Sequence, residues 1–351
     1  MLFYLLSQPQ TSNMYLKLRP FVEQNRDEID WKYLSLNPAA ISLLEKNQDK
    51  IHWTQLSQNP EAVHILEANP KKIDWTYMSR NPNVHLLKKN LGNNWIKISE
   101  ANNLPDQKQN KIYWERFSNK LRAISLSEQN QKKIDWYQMS KNPGAISLLE
   151  KNQEKIDWEY LSLNPEAIHL LEQTPDKINW YWLSMNPGPG VISLLKKNPD
   201  KICWWNLSIN SSAISLLEKN QDKINWHYLS QNPNPGAISL LEQNQDKINW
   251  ANLSGNPSPE AIYLLKKNQN KINWMCLSAN PKAIHLLEEN PDKIDWQYLS
   301  LNPAIFTYDY DTMKKHMYES GLAEQLMQNR FHPKNLSKLE EWGFDSILSE
   351  L

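Results

Sequence analysis

"KIDWEYLSLNPEAIHLLEQTPDKINWYWLSMNP", residues 155–187, writes nearly the same phrase twice. Ile156, Asp157, Trp158, Leu161, Ser162, Asn164 and Pro165 return as Ile178, Asn179, Trp180, Leu183, Ser184, Asn186 and Pro187. Outward from this stretch, in-register tryptophans stand at Trp31, Trp53, Trp75, Trp95, Trp114, Trp136, Trp158, Trp180, Trp204, Trp226, Trp250, Trp274 and Trp296, mostly 22 residues apart. Self-similarity at such a period marks a stacked array, and it overrides the reading of a 351-residue chain as two ordinary globular domains.

The intervals of 24 carry extra Pro or Gly in one turn (NPGPG at 186–190, NPNPG at 232–236, NPSP at 256–259), so insertions are confined to a loop. The short intervals surround Trp95 and Trp114, where ISEANNLPDQKQN lacks the second apolar stretch and residues 90–121 read as irregular. In a typical unit, residues 29–50, Asp30 has the position of a helix N-cap, with Ile29 and Leu34 spaced as a hydrophobic staple around it. Nine of twelve Ile-x-Trp steps carry Asp or Asn at that position; His52, Tyr113 and Cys203 depart from it. The residue before a proline is pushed out of the helical region, so helix A is expected over about 31–36, ending ahead of Asn37-Pro38.

Asn37 then caps helix B, which has Pro38 at its first position and is expected to stop near Lys46 at a left-handed Asn47. Two turns fall below the ~12 residues that an isolated helix needs, so stability must come from stacking. Helical spacing puts Trp31 and Leu34 on one side of helix A, opposite Lys32, Tyr33 and Leu36. In helix B, Ala40, Ile41, Leu43 and Leu44 form the apolar arc. A buried tryptophan hides roughly 150 to 250 Å², so the indoles are expected to form a continuous buried spine. With roughly 9 Å per helix layer, the array is expected to be a rod on the order of 110 Å long.

The expected fold is therefore all-α: an α-solenoid of about thirteen two-helix repeats over residues 29–303, closed by an N-terminal cap (1–28) and a C-terminal helical cap (304–351). The tail DYDTMKKHMYESGLAEQLMQ reads as a longer helix and the stretch from Pro333 to Gly343 as another. Their apolar residues Tyr310, Met313, Met317, Leu322, Leu326, Leu336, Leu339 and Trp342 would cover the last layer.

Taken together, the (K)I(D/N)WxxLSxNPxAIxLLExN units and the tail "AIFTYDYDTMKKHMYESGLAEQLMQNRFHPKNLSKLEEWGF" resemble tandem-repeat proteins of large DNA viruses of algae and amoebae, over residues 29–343. The resemblance implies a viral protein in the host cytoplasm or the virion. It carries no activity to transfer.

Composition excludes several classes of function. Lys plus Arg (39) balance Asp plus Glu (39), which gives a phosphate-binding surface no support. MLFYLLSQPQ has an apolar run shorter than a signal-peptide core or a membrane span, so neither export nor membrane insertion is expected. Two cysteines, Cys203 and Cys276, suit a reducing compartment. No Walker A, GxGxxG, HExxH, GxSxG or CxxC pattern occurs, and 8 glycines leave little material for a phosphate-cradling loop, so no enzyme and no cofactor are expected. His64, His85, His169 and His285 share one position of helix B, but that position is otherwise mostly serine, which reads as an exposed polar column and not a metal ladder.

Helix A carries the informative variation. Its outward positions drift while the apolar letters are kept, and the eighth and ninth units place Tyr181, Trp182, Met185, Trp205 and Ile209 near one another, followed by His227 and Tyr228. Contact surfaces favour such residues. These seven are the candidate partner-binding residues of a scaffold that binds a host or viral protein. A virion cement component and a modular RNA reader, one base per layer, are the alternatives.

Overall fold

The computed structural model describes residues 15–78, 81, 83, 135–321 and 324. Each regular unit there consists of three short pieces. In the Trp158 unit, helix A spans Trp158–Leu161, helix B spans Ile168–Gln173, and a 3₁₀ turn, Pro175–Lys177, leads to the next unit. Asp157 starts helix A as its spacing predicts, its carboxylate accepting the Tyr160 N–H at 3.1 Å. Helix A stops after one turn because Asn164, ahead of Pro165, turns out of the helix, and its side-chain oxygen accepts the Glu166 N–H at 3.1 Å. Where the loop carries the extra residues of 232–236 and 256–259, helix B becomes one nine-residue piece, Pro235–Gln243 or Pro259–Lys267, each opening on a capped proline.

Helix B ends differently from the expectation. Asn47 sits at φ −133°, outside the left-handed region, and its side-chain amide donates to the Leu43 carbonyl at 2.8 Å. This side-chain bond satisfies a terminal carbonyl that a left-handed cap would have served with backbone N–H, and the freed chain turns at once into the 3₁₀ segment Gln48–Lys50. Thr174 does the same with its hydroxyl, 2.9 Å from the Leu170 carbonyl.

The core is a column of leucines. Leu34, Leu56, Leu161, Leu183, Leu207, Leu229, Leu253 and Leu277 of successive helices A are at 0 % exposure, backed by Leu171, Leu195 and their equivalents from helix B. The in-register tryptophans are not in it: each one whose burial the structure describes is half-buried. This corrects the expected indole spine. A lysine from the 3₁₀ turn that ends the same unit covers one ring face instead, as with Lys50 over Trp31 at 4.7 Å, Lys72 over Trp53 at 4.4 Å and Lys177 over Trp158 at 4.6 Å. A flat ring at the edge of a layer can shield leucines beneath it and offer its outer face to a cation.

Two small polar residues join the layers. The Ser162 hydroxyl donates to the Trp158 carbonyl at 2.8 Å within its own helix and accepts the Asn179 N–H of the next unit at 3.0 Å. The Asn164 amide, fully buried, donates backward to the carbonyls of Ser140 and Asn142 at 3.0 and 2.9 Å. The serine bond recurs at 2.9 to 3.0 Å at every described joint, including those where 24 residues separate the tryptophans, so loop insertions bulge outward without disturbing the joint.

The same bonds appear once more, between the two ends of the array. Asp30 N–H donates to the Ser300 hydroxyl at 2.9 Å, and the buried Asn37 amide donates to the carbonyls of Ser300 and Asn302, both at 3.1 Å. Helix A of the last unit, Trp296–Leu301, packs on helix A of the first, Trp31–Leu34, and Tyr33 meets Tyr298 with ring centroids 6.3 Å apart. The array therefore closes on itself, which corrects the expectation of a rod with two separate ends. The closing unit is a composite. Its helix A comes from Trp296–Leu301, while the helix that precedes Trp31, Pro20–Gln24, has the features of a helix B: buried Phe21 and Val22, an Asn25 amide donating to the Phe21 carbonyl at 2.8 Å, and a following 3₁₀ turn, Arg26–Glu28. The repeated unit thus begins nine residues before the expected boundary at 29, and residues 20–305 form one compact body.

The described residues ahead of Pro20 and after Ile305 belong to a second unit. In it β1, Leu16–Leu18, pairs antiparallel with β2, Phe306–Tyr308, and Lys17 bridges to Asp309 at 3.0 Å. Hydrogen bonds from Thr312 and Lys17 hold the Asp309 carboxyl below the usual range. The expected tail helix runs over Tyr310–Glu319 with Met313 and Met317 half-buried, but Tyr310 is 69 % exposed and covers no core. Leu322, Leu326, Leu336, Leu339, Trp342 and the stretch 333–343 lie outside the described residues, as do Trp95, Trp114 and His85.

Candidate interaction surface

Joining through helix A fixes which of its side chains can face outward. Leucine three residues after the tryptophan and the serine after it point into the joint, so the residue directly after the tryptophan is left at the surface in most described units, with Thr54 and Ala251 half-buried. The next residue is half-buried, or buried in the case of Asn206, because it leans on the previous unit. The two positions meet across joints: Tyr137 with Tyr160, Glu159 with Trp182, and Trp205 with Tyr228.

Five of the seven candidate residues divide between these two positions and so separate by role. Tyr181, at 53 % exposure, Trp205, at 63 %, and His227 face solvent from three consecutive helices, Trp180–Met185, Trp204–Ile209 and Trp226–Leu229. Trp182, Met185, Ile209 and Tyr228 are half-buried and form the floor. The Trp182 indole N–H donates to the Glu159 carboxylate at 2.8 Å, and the Tyr181 ring stands edge-on to it with centroids 4.9 Å apart. Tyr228 lies between Trp205 (6.3 Å) and His227 (5.5 Å). Asn206 ties the row from below, its amide donating to the Tyr181 carbonyl at 2.7 Å. The local reason for the exposure is that a short helix A buries only one arc, and the leucine and serine already fill it.

The row continues past the residues singled out from sequence. Tyr137 (41 %) and Met275 (43 %) occupy the same position directly after their tryptophans. Aligning that one column, and not the outward positions as a group, exposes the signal. The Tyr137 and Tyr160 hydroxyls are hydrogen-bonded, which pushes the Tyr160 phenol up to about 12. On the other helix, Tyr263 is 61 % exposed where other units have serine or histidine. It borders a groove of ≈ 320 Å³ between Pro235–Gln243 and Pro259–Lys267, with Lys267 4.2 Å from the ring centroid and 3.2 Å from Glu242.

The helix B histidines pair with carboxylates instead of gathering. His64 reaches Glu45 at 2.7 Å and His169 reaches Glu150 at 2.9 Å, each across a joint, while His285 lies 3.7 Å from Glu288 on its own helix. Among the described residues no three His, Cys, Asp or Glu side chains converge as metal ligands, and no helix is long and apolar enough to cross a membrane. Cys203 and Cys276 are free, half-buried thiols. No family model, curated protein or solved structure matches this chain.

Proposed function

We propose that the protein is a non-enzymatic interaction scaffold whose exposed row on helices A binds a protein partner. Viral or host origin of that partner follows the resemblance of the repeats and is part of the proposal. The observation that supports it is the exposure of Tyr181 and Trp205 on neighbouring helices, above a floor already completed by Trp182 and Tyr228. Large aromatic side chains that no core requires are the residues that contact surfaces favour, and a contiguous patch of them marks a partner site. The layer bonds place the row on a rigid support, since every described helix A is fixed to its neighbour by serine and asparagine. Rigid presentation lowers the ordering cost of binding.

The double variant Tyr181→Ser, Trp205→Ser tests this. Proteins recovered on the native chain from infected-cell or host lysate are expected to be lost on the variant, with the melting temperature unchanged. Equal recovery on both chains, or a large fall in melting temperature, would overturn the proposal.

A further inference from the structure

The closing joint differs from the internal ones in how it is held. Within the array, helix A, helix B and the 3₁₀ turn of one unit are covalently continuous, so two neighbouring layers stay tethered even when their bonds open. At the closing joint the composite unit takes helix A from Trp296–Leu301 and its helix B equivalent from Pro20–Gln24, so the faces of Ser300 and Asn37 meet with no chain running through the unit; the flanking segments are tied only by the non-covalent pairing of β1 with β2, which exchanges with them. The sequence also withholds a contact. Position 28, which corresponds to Lys50 and Lys72, is glutamate, so no lysine is provided for the Trp296 indole where the next units supply one at 4.7 and 4.4 Å.

The two faces are complementary by demonstration, because they bind one another with the bonds of an ordinary joint. The Asn37 amide brings two donors, Ser300 and Asn302 bring two carbonyls, and the Ser300 hydroxyl accepts the Asp30 N–H. Once opened, the Asn37 amide and its acceptors are hydrated, and seating the face again restores their bonds together with the burial of Leu34 and Leu299 beside them. A second copy of the chain offers that geometry.

We propose that the closing joint exchanges between copies: it opens, and the Ser300 face of one chain seats on the Asn37 face of another. Exchange of an identical element is a low-cost route to dimers. Each chain has one closing joint in the monomer and one in the exchanged dimer, so concentration sets the balance between them.

Two single variants make the exchange visible. Asn37→Asp keeps the oxygen that accepts the Ala39 N–H at 3.0 Å and removes both donors to the partner face. Ser300→Val removes the acceptor for Asp30 and adds bulk to the opposite face. Neither variant can form an intact closing joint with itself, but a mixed dimer contains one. An equimolar mixture is expected to show twice the monomer mass by light scattering, and each variant alone is expected to remain mostly monomeric. A mixture no heavier than its components overturns the proposal. Should either variant fail to fold, native chain carrying two different tags is mixed and the co-purified fraction followed in time. Glu28→Lys, which gives the joint its missing lysine, is expected to slow that exchange several-fold; unchanged exchange, or none in the native chain, overturns it.

Discussion

Asn164 does three things with one side chain. Its oxygen caps the following turn, and its amide holds two carbonyls of the previous layer, all without solvent. An asparagine before proline reads as a local cap, and that half of its role was legible; the backward half was not, because a bond spanning 22 residues leaves no local spacing. Serine was still less legible, since its hydroxyl turns back on the Trp158 carbonyl and forward to the next unit at once. The tryptophan misled in the opposite direction, its size suggesting a core residue where it serves as a partly covered lid. These roles predict unequal costs. Asn164→Ala leaves two buried carbonyls unpaired and is expected to destabilise by about 3 kcal/mol, whereas Lys177→Met, which removes the cation over Trp158, is expected to cost less than about 1 kcal/mol. Urea midpoints of the two variants measure the difference.

Short helices depend on their caps more than long ones do, because most or all of their backbone groups lie at an end. In the array most helices A start at Asp or Asn whose oxygen accepts a backbone N–H, as Asn179 does from Trp182 at 3.2 Å, but Cys203 before Trp204–Ile209 makes no such bond. The position tolerates it because the Cys203 N–H still reaches the Ser184 hydroxyl at 3.0 Å. Cys203→Asn is expected to add the missing cap and stabilise by about 1 kcal/mol, with Asn179→Cys losing a similar amount; a thermal melt of each decides it. Glycine is required at one bend for a related reason of space. At Gly188 a Cβ would stand 2.4 Å from the Pro165 carbonyl oxygen, so the loop of 186–190 crosses the preceding unit too closely for a side chain.

Closure is a property of the whole array. Each described joint repeats the same bonds, and the last of them joins the Ser300 face to Asn37. A closed array leaves no terminal layer that needs a cover, and residues 20–28, expected to belong to a separate cap, are instead the missing half of the final unit. If the closing joint is the least secured, strengthening it should matter to the entire molecule. Glu28→Lys is expected to raise the melting temperature by an amount equivalent to roughly 0.5 to 1 kcal/mol through contact with Trp296; an unchanged or lower value would show that other joints fail first.

The sequence by itself determined the period, the helical pieces, the capping Asp and Asn, the loops that absorb insertions and the side of helix A that carries the variable residues. All of these follow from local backbone preference and from spacing within one unit of about 22 residues. Only the tertiary structure decided that serine and asparagine join the layers, that the indoles stay half outside, that Tyr181 and Trp205 stand clear while Trp182 does not, and that the ends meet. Those outcomes depend on the angle at which one layer sits on the next, and that angle is set by contacts between units that no single copy of the phrase contains.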